Sequence, residues 1–140
     1  MNKKLNALRT KLSSQLSALD ENLQKVSELL STLKKKQAIK QEQIEKASAT
    51  PAIINPEQEI SRLNFIVHCH QESEHLSIEI REMESHQTTL KERFLRINIE
   101  LKMLEKHFEN QIKKEHENAL ALQQKNLDEW VLLRRKYNGN

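Results

Sequence analysis

One interruption limits what this sequence can fold into, and it is the segment from Thr50 to Pro56. Proline lacks a backbone donor, its ring clashes with the preceding helical turn, and it pushes the residue before it toward extended geometry. Pro51 and Pro56 therefore predict the end of one helix and the start of another. Asn55 is suited to cap the second helix, and Pro56 to its first position, where no donor is needed.

The two stretches beside this break have the composition of helices around a thin core. Only 36% of the chain is apolar and 4% aromatic, with 31% charged and a mean hydropathy of −0.77, so no thick globular core is expected. Leu, Lys, Glu and Gln are abundant, and these residues lose little side-chain freedom in a helix. We predict an all-α single domain over 1–140: a helix over 2–47, a turn over 48–55 and a helix over 56–137.

Apolar residues recur every seven positions in the first helix, in two series offset by three or four. Such a stripe stays on one side only when the helix supercoils about a partner, so the pattern predicts a coiled coil. Gln37 and Lys40 weaken the stripe, and Ile44 restores it. The apolar positions are Leu5, Leu12, Leu19, Val26 and Leu33, with Leu16, Leu23 and Leu30.

The second helix carries a matching stripe, which makes an antiparallel hairpin the leading prediction. Folding about residues 50–53 would place Leu19 near Met83 and Leu8 near Phe94. An intermolecular bundle is the main alternative. Residues 1–50 hold 10 Lys/Arg against 5 Asp/Glu, while residues 51–116 hold 9 against 12, so the arms carry charges of opposite sign, +5 and −3. The stripe consists of Ile80, Met83, Leu90, Phe94, Ile97, Leu101, Leu104 and Phe108, interrupted by Gln87.

In such a hairpin the second helix is longer and overhangs its partner. We expect Leu5–Leu33 to cover Ile80–Leu101, and Leu104–Arg135 to remain uncovered. The apolar stripe continues along this part with a phase slip near Ile112, where the seven-residue spacing fails. An exposed apolar stripe usually marks an interaction surface.

Several classes of function are not expected. The chain has no glycine-rich phosphate loop and no recognisable catalytic set, so we predict no enzyme and no cofactor. His68, Cys69, His70 and His75 do not share one helix face, so no metal site is expected. Lys34–Lys36 and the cations after Trp130 lack the large basic face of nucleic-acid proteins, and no such binding is expected.

The sequence also predicts a cytoplasmic protein without membrane insertion. No apolar run approaches the length that spans a bilayer, and the amino terminus lacks the apolar stretch of a secretory signal. The only cysteine, Cys69, has no intramolecular partner for a disulfide, which agrees with a reducing compartment.

The carboxyl end contains the most specific motif, Leu127-Asp128-Glu129-Trp130 followed by Arg134-Arg135. Trp and Arg are over-represented among residues that dominate binding energy, so this end is predicted to be a docking tip. With its length and its short-then-long helices, the chain resembles the FliJ/YscO family, the central stalk proteins of flagellar and type III secretion export ATPases. Flagellar members have a similar ending, in which Met or Leu, Asp, Glu and an aromatic residue precede an Arg-rich stretch.

The resemblance implies a coiled coil that enters a hexameric export ATPase and links it to the cytoplasmic domain of the export gate, at the base of a membrane-embedded secretion apparatus. The residues that match the ending motif become the candidate ATPase-binding set: Leu127, Asp128, Glu129, Trp130, Arg134 and Arg135. For the gate contact we predict one stripe near the turn: Phe65, Cys69, Glu72 and Leu76. The basic run at Lys34–Lys36 and the two-proline turn depart from flagellar members.

Two other functions remain open from the sequence. A type III or flagellar export chaperone would use the exposed stripe to hold a secreted substrate, and a coiled-coil scaffold would use it to self-assemble. Secretion chaperones are also candidate partners of a stalk.

Overall fold

The computed structural model describes residues 2–49 and 53–138, and these form two helices. Helix α1 runs over Asn2–Ala47 and helix α2 over Pro56–Asn138, and the described ranges contain no strand. The predicted all-α helical hairpin is confirmed, with the second helix longer at 83 residues against 46. The part of the break predicted at Thr50–Ala52 lies outside the described residues.

The turn is held by hydrogen bonds at both helix ends. The Asn55 side-chain oxygen accepts a bond from the backbone N–H of Glu57 at 3.1 Å, which confirms its predicted capping role. At the end of α1, the Ile44 carbonyl accepts from both the backbone N–H and the hydroxyl of Ser48. The Arg62 guanidinium of α2 donates to the Ala47 carbonyl at 2.8 Å. Arg62 thereby satisfies a carbonyl that has no partner within its own helix.

The chain divides into two compact units, one of residues 14–97 and one of residues 1–13 with 98–140. In the first unit the arms run antiparallel around a core of buried Val26, Leu30, Ile80 and Leu90. The predicted heptad positions supply this core, so the seam was correctly identified in both helices. The residues packed against it are Leu19, Leu23, Leu33 and Met83.

The register between the arms differs from the prediction by about three helical turns. The Gln87 amide donates to the Ser27 hydroxyl at 3.1 Å, whereas folding about residues 50–53 would have set position 76 beside Ser27. Gln37 donates to Ser77 where position 66 was expected, again 11 residues further along α2. The neighbourhoods predicted for Leu19 and Leu8 are therefore wrong.

Polar side chains in the seam explain this register. The predicted pairing would have pressed Gln37 against Ile66 and Lys40 against Leu63, leaving polar groups in an apolar layer without partners. In the observed pairing Gln37 meets Ser77, and Lys40 forms an ion pair with Glu72. Hydrogen-bond satisfaction thus selects among registers that the apolar stripe alone allows.

The second unit pairs the start of α1 with the carboxyl-terminal half of α2. Leu12 is buried, and the Arg9 guanidinium lies 5.0 Å from the centre of the Phe108 ring. Partial burial along α2 continues through Leu104 and Phe108 and ends at Gln111. The uncovered stretch therefore begins after Gln111 and not at Leu104, because the register sets α1 further along α2 than predicted.

Candidate functional site

Every residue of α2 from Ile112 to Tyr137 is exposed, and we call this part the exposed segment. Its large apolar side chains lack the partners that a folded chain normally provides, which makes it the main candidate interaction surface. The exposed fraction of Trp130 is 55% and that of Tyr137 is 90%. The other large apolar residues are Ile112, Leu120, Leu122, Leu127, Val131, Leu132 and Leu133.

A cation–π pair organises the carboxyl end of the exposed segment. The Arg134 guanidinium lies 5.2 Å from the centre of the Trp130 ring, one helical turn away. Trp130 and Arg134 line a shallow groove together with Leu133 and Tyr137. This contact leaves more than half of the Trp130 side chain exposed, so an aromatic ring and a cation lie together at the surface where a partner could reach both.

The six predicted ATPase-binding residues divide between faces of the helix. Leu127, Trp130 and Arg134 share one face, because they are separated by three and four positions. Asp128 and Arg135 lie on a neighbouring face, and the Asp128 carboxylate accepts a hydrogen bond from Gln124 at 3.2 Å. Glu129 points away from Leu127. The structure thus brings three of the six residues onto one face.

The four predicted gate-binding residues are not equally accessible. Cys69 is fully buried, and its thiol donates to the Gln43 side chain at 3.9 Å. Glu72 and Leu76 are half-buried at the contact with α1, and Phe65 is 45% exposed. Phe65 is therefore the one exposed residue of the four, and Cys69 is out of reach of a partner.

Glu72 is the centre of a charged cluster that joins the arms. Its carboxylate pairs with Lys40 of α1 and accepts from His68, 2.7 Å away and one turn earlier in α2. The hydrogen bond to Lys40 lowers the pKa of Glu72, and the same bond raises the pKa of Lys40. This cluster borders an open groove lined by Lys36, Ile39, Lys40, His68, Gln71, Glu72, His75 and Leu76.

These shifts predict how stability depends on pH. A carboxylate whose pKa is lower in the folded state stabilises the fold above its unfolded pKa of about 4.3, and this contribution disappears as pH falls through the folded pKa. The difference in urea midpoint between wild type and Glu72→Gln should therefore shrink between about pH 5 and pH 3. Glu74→Gln removes an exposed carboxylate from the same helix and is the matched control. A difference that stays constant down to the acid limit would contradict this assignment.

A second exposed apolar stripe, which the heptad pattern does not predict, lies close to the turn. Ile60, Leu63 and Val67 are exposed by 50% or more and lie on the outer face of α2, away from the seam. Ile53 and Ile54 are exposed beside them in the connecting loop. Ile60, Leu63 and Val67 are spaced by three and four, which puts them on one helix face, but they fall outside the heptad series. Once the seam positions are set aside, the remaining apolar residues of α2 reveal this stripe.

Other kinds of site are absent from the described ranges. Residues 2–49 and 53–138 contain no group of three or more His, Cys, Asp or Glu side chains arranged to hold a metal ion. Within these same ranges, neither helix has a stretch long and apolar enough to cross a bilayer. Comparisons with protein-family models, with curated proteins and with solved structures found no match to this chain.

Proposed function

We propose that this chain is the central stalk of a type III secretion or flagellar export ATPase. The observation that carries the proposal is the exposed segment, a helical extension that ends in the Trp130–Arg134 pair and has no covering helix. The resemblance of the ending Leu127-Asp128-Glu129-Trp130 and Arg134-Arg135 to flagellar stalk proteins supports it. The stalk would act on the cytoplasmic side of a membrane-embedded secretion apparatus.

The face of Leu127, Trp130 and Arg134 is the proposed contact with the ATPase hexamer. A shaft biases nucleotide sites only if its contact free energy differs between subunit states. The faces of the exposed segment differ, which is the asymmetry that such a shaft needs: Leu127 and Trp130 are apolar, whereas Asp128 carries a charge on a neighbouring side. The proposal assigns no catalytic residue and no cofactor to this chain, since it would act only through contacts.

The part of the hairpin near the turn is the proposed contact with the cytoplasmic domain of the export gate. Phe65, Glu72 and Leu76 are accessible to different degrees there, and the Lys40–Glu72 pair holds the two arms together beside them.

The proposal predicts that Trp130→Ala with Arg134→Ala weakens binding to the cognate ATPase by at least tenfold, a typical loss when anchor residues are truncated (about 1.4 kcal/mol or more). Binding and stimulation of ATP hydrolysis would be measured with the purified hexamer. Leu122→Ala with Lys125→Ala is the matched control, because it removes one apolar residue and one cation from the same exposed helix.

The control variant should bind with little change, and one chain should bind per hexamer. Full stimulation by the Trp130→Ala, Arg134→Ala variant would refute the site assignment. A stable complex with one secreted protein, and none with the ATPase, would instead support the chaperone function.

A further inference from the structure

The last turns of the exposed segment have an unusual composition. Every residue from Trp130 to Tyr137 is either a large apolar or aromatic side chain or a cation, and all are exposed. The residues from Trp130 to Leu133 are separated by about 100° each, so they surround the helix with apolar surface. Arg134, Arg135 and Lys136 follow them directly. We call residues 130–137 the basic-aromatic end.

One face of the basic-aromatic end carries the types of side chain that interfacial helices place against a membrane. Leu133 and Tyr137 lie within about 60° of Trp130 on the helix and line one shallow groove with it. Arg134 projects on one side of this stripe and Lys136 on the other. Long cationic side chains at such positions can bury their methylene groups beside apolar surface while their charges reach lipid phosphates. Trp and Tyr are the residues enriched at the membrane–water interface.

We propose that the basic-aromatic end docks on the surface of an anionic lipid bilayer. Trp130, Leu133 and Tyr137 would enter the interface between headgroups and acyl chains, and Arg134 and Lys136, which flank this stripe, would contact anionic headgroups. Arg135 lies about 140° from Trp130 around the helix and adds only to the positive charge near the surface. Such docking is peripheral, because a segment of this length does not span the hydrocarbon core.

Charge favours a lipid surface over another helix as the occupant. The helix pairing inside this chain uses charges of both signs, with Lys34 facing Glu84 at 3.4 Å and Lys40 facing Glu72. The basic-aromatic end offers three adjacent cations and no acid, and the nearest carboxylates, Asp128 and Glu129, precede it. An anionic leaflet attracts these cations however the helix is rotated about its own axis. A helical partner would instead need acidic residues at matching positions along its own length.

Trp130 is the only tryptophan of the chain, so its fluorescence reports directly on this site. The full-length protein would be mixed with vesicles of phosphatidylcholine alone, and with vesicles in which phosphatidylglycerol replaces part of it. We expect co-sedimentation and a blue shift of Trp130 emission with the anionic vesicles only, reversed by added salt. Replacing Arg134, Arg135 and Lys136 together by Gln should weaken binding by about 100-fold, since each cation near an anionic surface contributes about fivefold.

The matched control replaces Lys113, Lys114 and Lys125 by Gln, which removes the same charge from exposed positions of the same helix. It should retain most of the binding. Equal losses in both variants, or binding without a change in Trp130 emission, would overturn docking by this end. A blue shift that rises with protein concentration in the absence of vesicles would identify a second copy of the chain as the occupant. Because Trp130 and Arg134 also belong to the proposed ATPase contact, one chain would dock on lipid only while it is not bound to the ring. The vesicle experiment contains no ATPase and the ring-binding assay contains no lipid, so the failure of one proposal leaves the other untouched.

Discussion

Replacing Leu30 by alanine is expected to lower the free energy of unfolding by about 3 kcal/mol, whereas the same change at Leu29 should cost less than about 0.5 kcal/mol. The two residues are adjacent and identical, but Leu30 is 5% exposed in the core and Leu29 is 51% exposed on the outer face. Truncating Leu30 removes buried methyl groups and leaves a cavity among Val26, Ile80 and Leu90. Truncating Leu29 changes surface that is already in water.

Urea unfolding followed by circular dichroism would measure both variants, with thermal unfolding as a second method. The core around Leu30 is thin, so the free energy lost by truncating one buried leucine is a large part of the total free energy of unfolding. Similar losses at Leu29 and Leu30 would mean that the packing between α1 and α2 is not the one described. A loss at Leu29 alone would mean that the opposite face of α1 is buried in solution.

A cysteine cross-link should form at high yield between positions 27 and 87 and fail between positions 27 and 77. Ser27 and Gln87 are joined by a hydrogen bond of 3.1 Å, so cysteines at these two positions would lie close together. Position 77 lies ten residues before position 87, which is about 15 Å along the axis of α2. The protein would carry Cys69→Ser, which keeps a donor for Gln43 and leaves only the introduced thiols. A short bismaleimide joins thiols several Å apart but does not reach across three helical turns.

The products separate by electrophoresis under denaturing conditions. A cross-link within one chain confirms both the antiparallel hairpin and its register. A Ser27→Cys, Ser77→Cys cross-link would restore the register that folding about residues 50–53 predicts. Cross-linked dimers would favour the intermolecular bundle, which the heptad pattern alone does not exclude.

The sequence was sufficient to predict the helix boundaries and the buried stripe. Pro56 and Asn55 act locally, through a missing donor and a capping oxygen, so the start of α2 needs no tertiary information. Leu12, Val26 and Leu30 are buried at positions that the seven-residue repeat specifies. Neither conclusion depends on knowing which residues of the other arm lie opposite.

The register could not be predicted by the same reasoning, because an apolar repeat is compatible with pairings shifted by whole heptads or turns. The choice depends on pairs of polar residues far apart in the chain, such as Gln37 with Ser77 and Lys40 with Glu72. Requiring a polar partner for each seam Gln and Lys would have brought the prediction closer. The register also decides where the uncovered stretch of α2 begins. The predicted register put this point at Leu104, whereas partial burial continues to Gln111.

Among the described residues, none packs against the exposed segment. The affinity of a partner for this segment would therefore depend on the segment's own helix–coil equilibrium. A helix without tertiary contacts depends on local propensity, and Ala, Leu, Lys, Glu and Gln between Ile112 and Lys125 favour it. Asn118 and Asn126 oppose it, because their side chains compete with the backbone for hydrogen bonds. A partner that binds only the helical form has its apparent affinity scaled by the fraction of chains already helical there. For such a partner, Asn118 and Asn126 would tune the affinity through the stability of the helix, without having to touch the partner themselves.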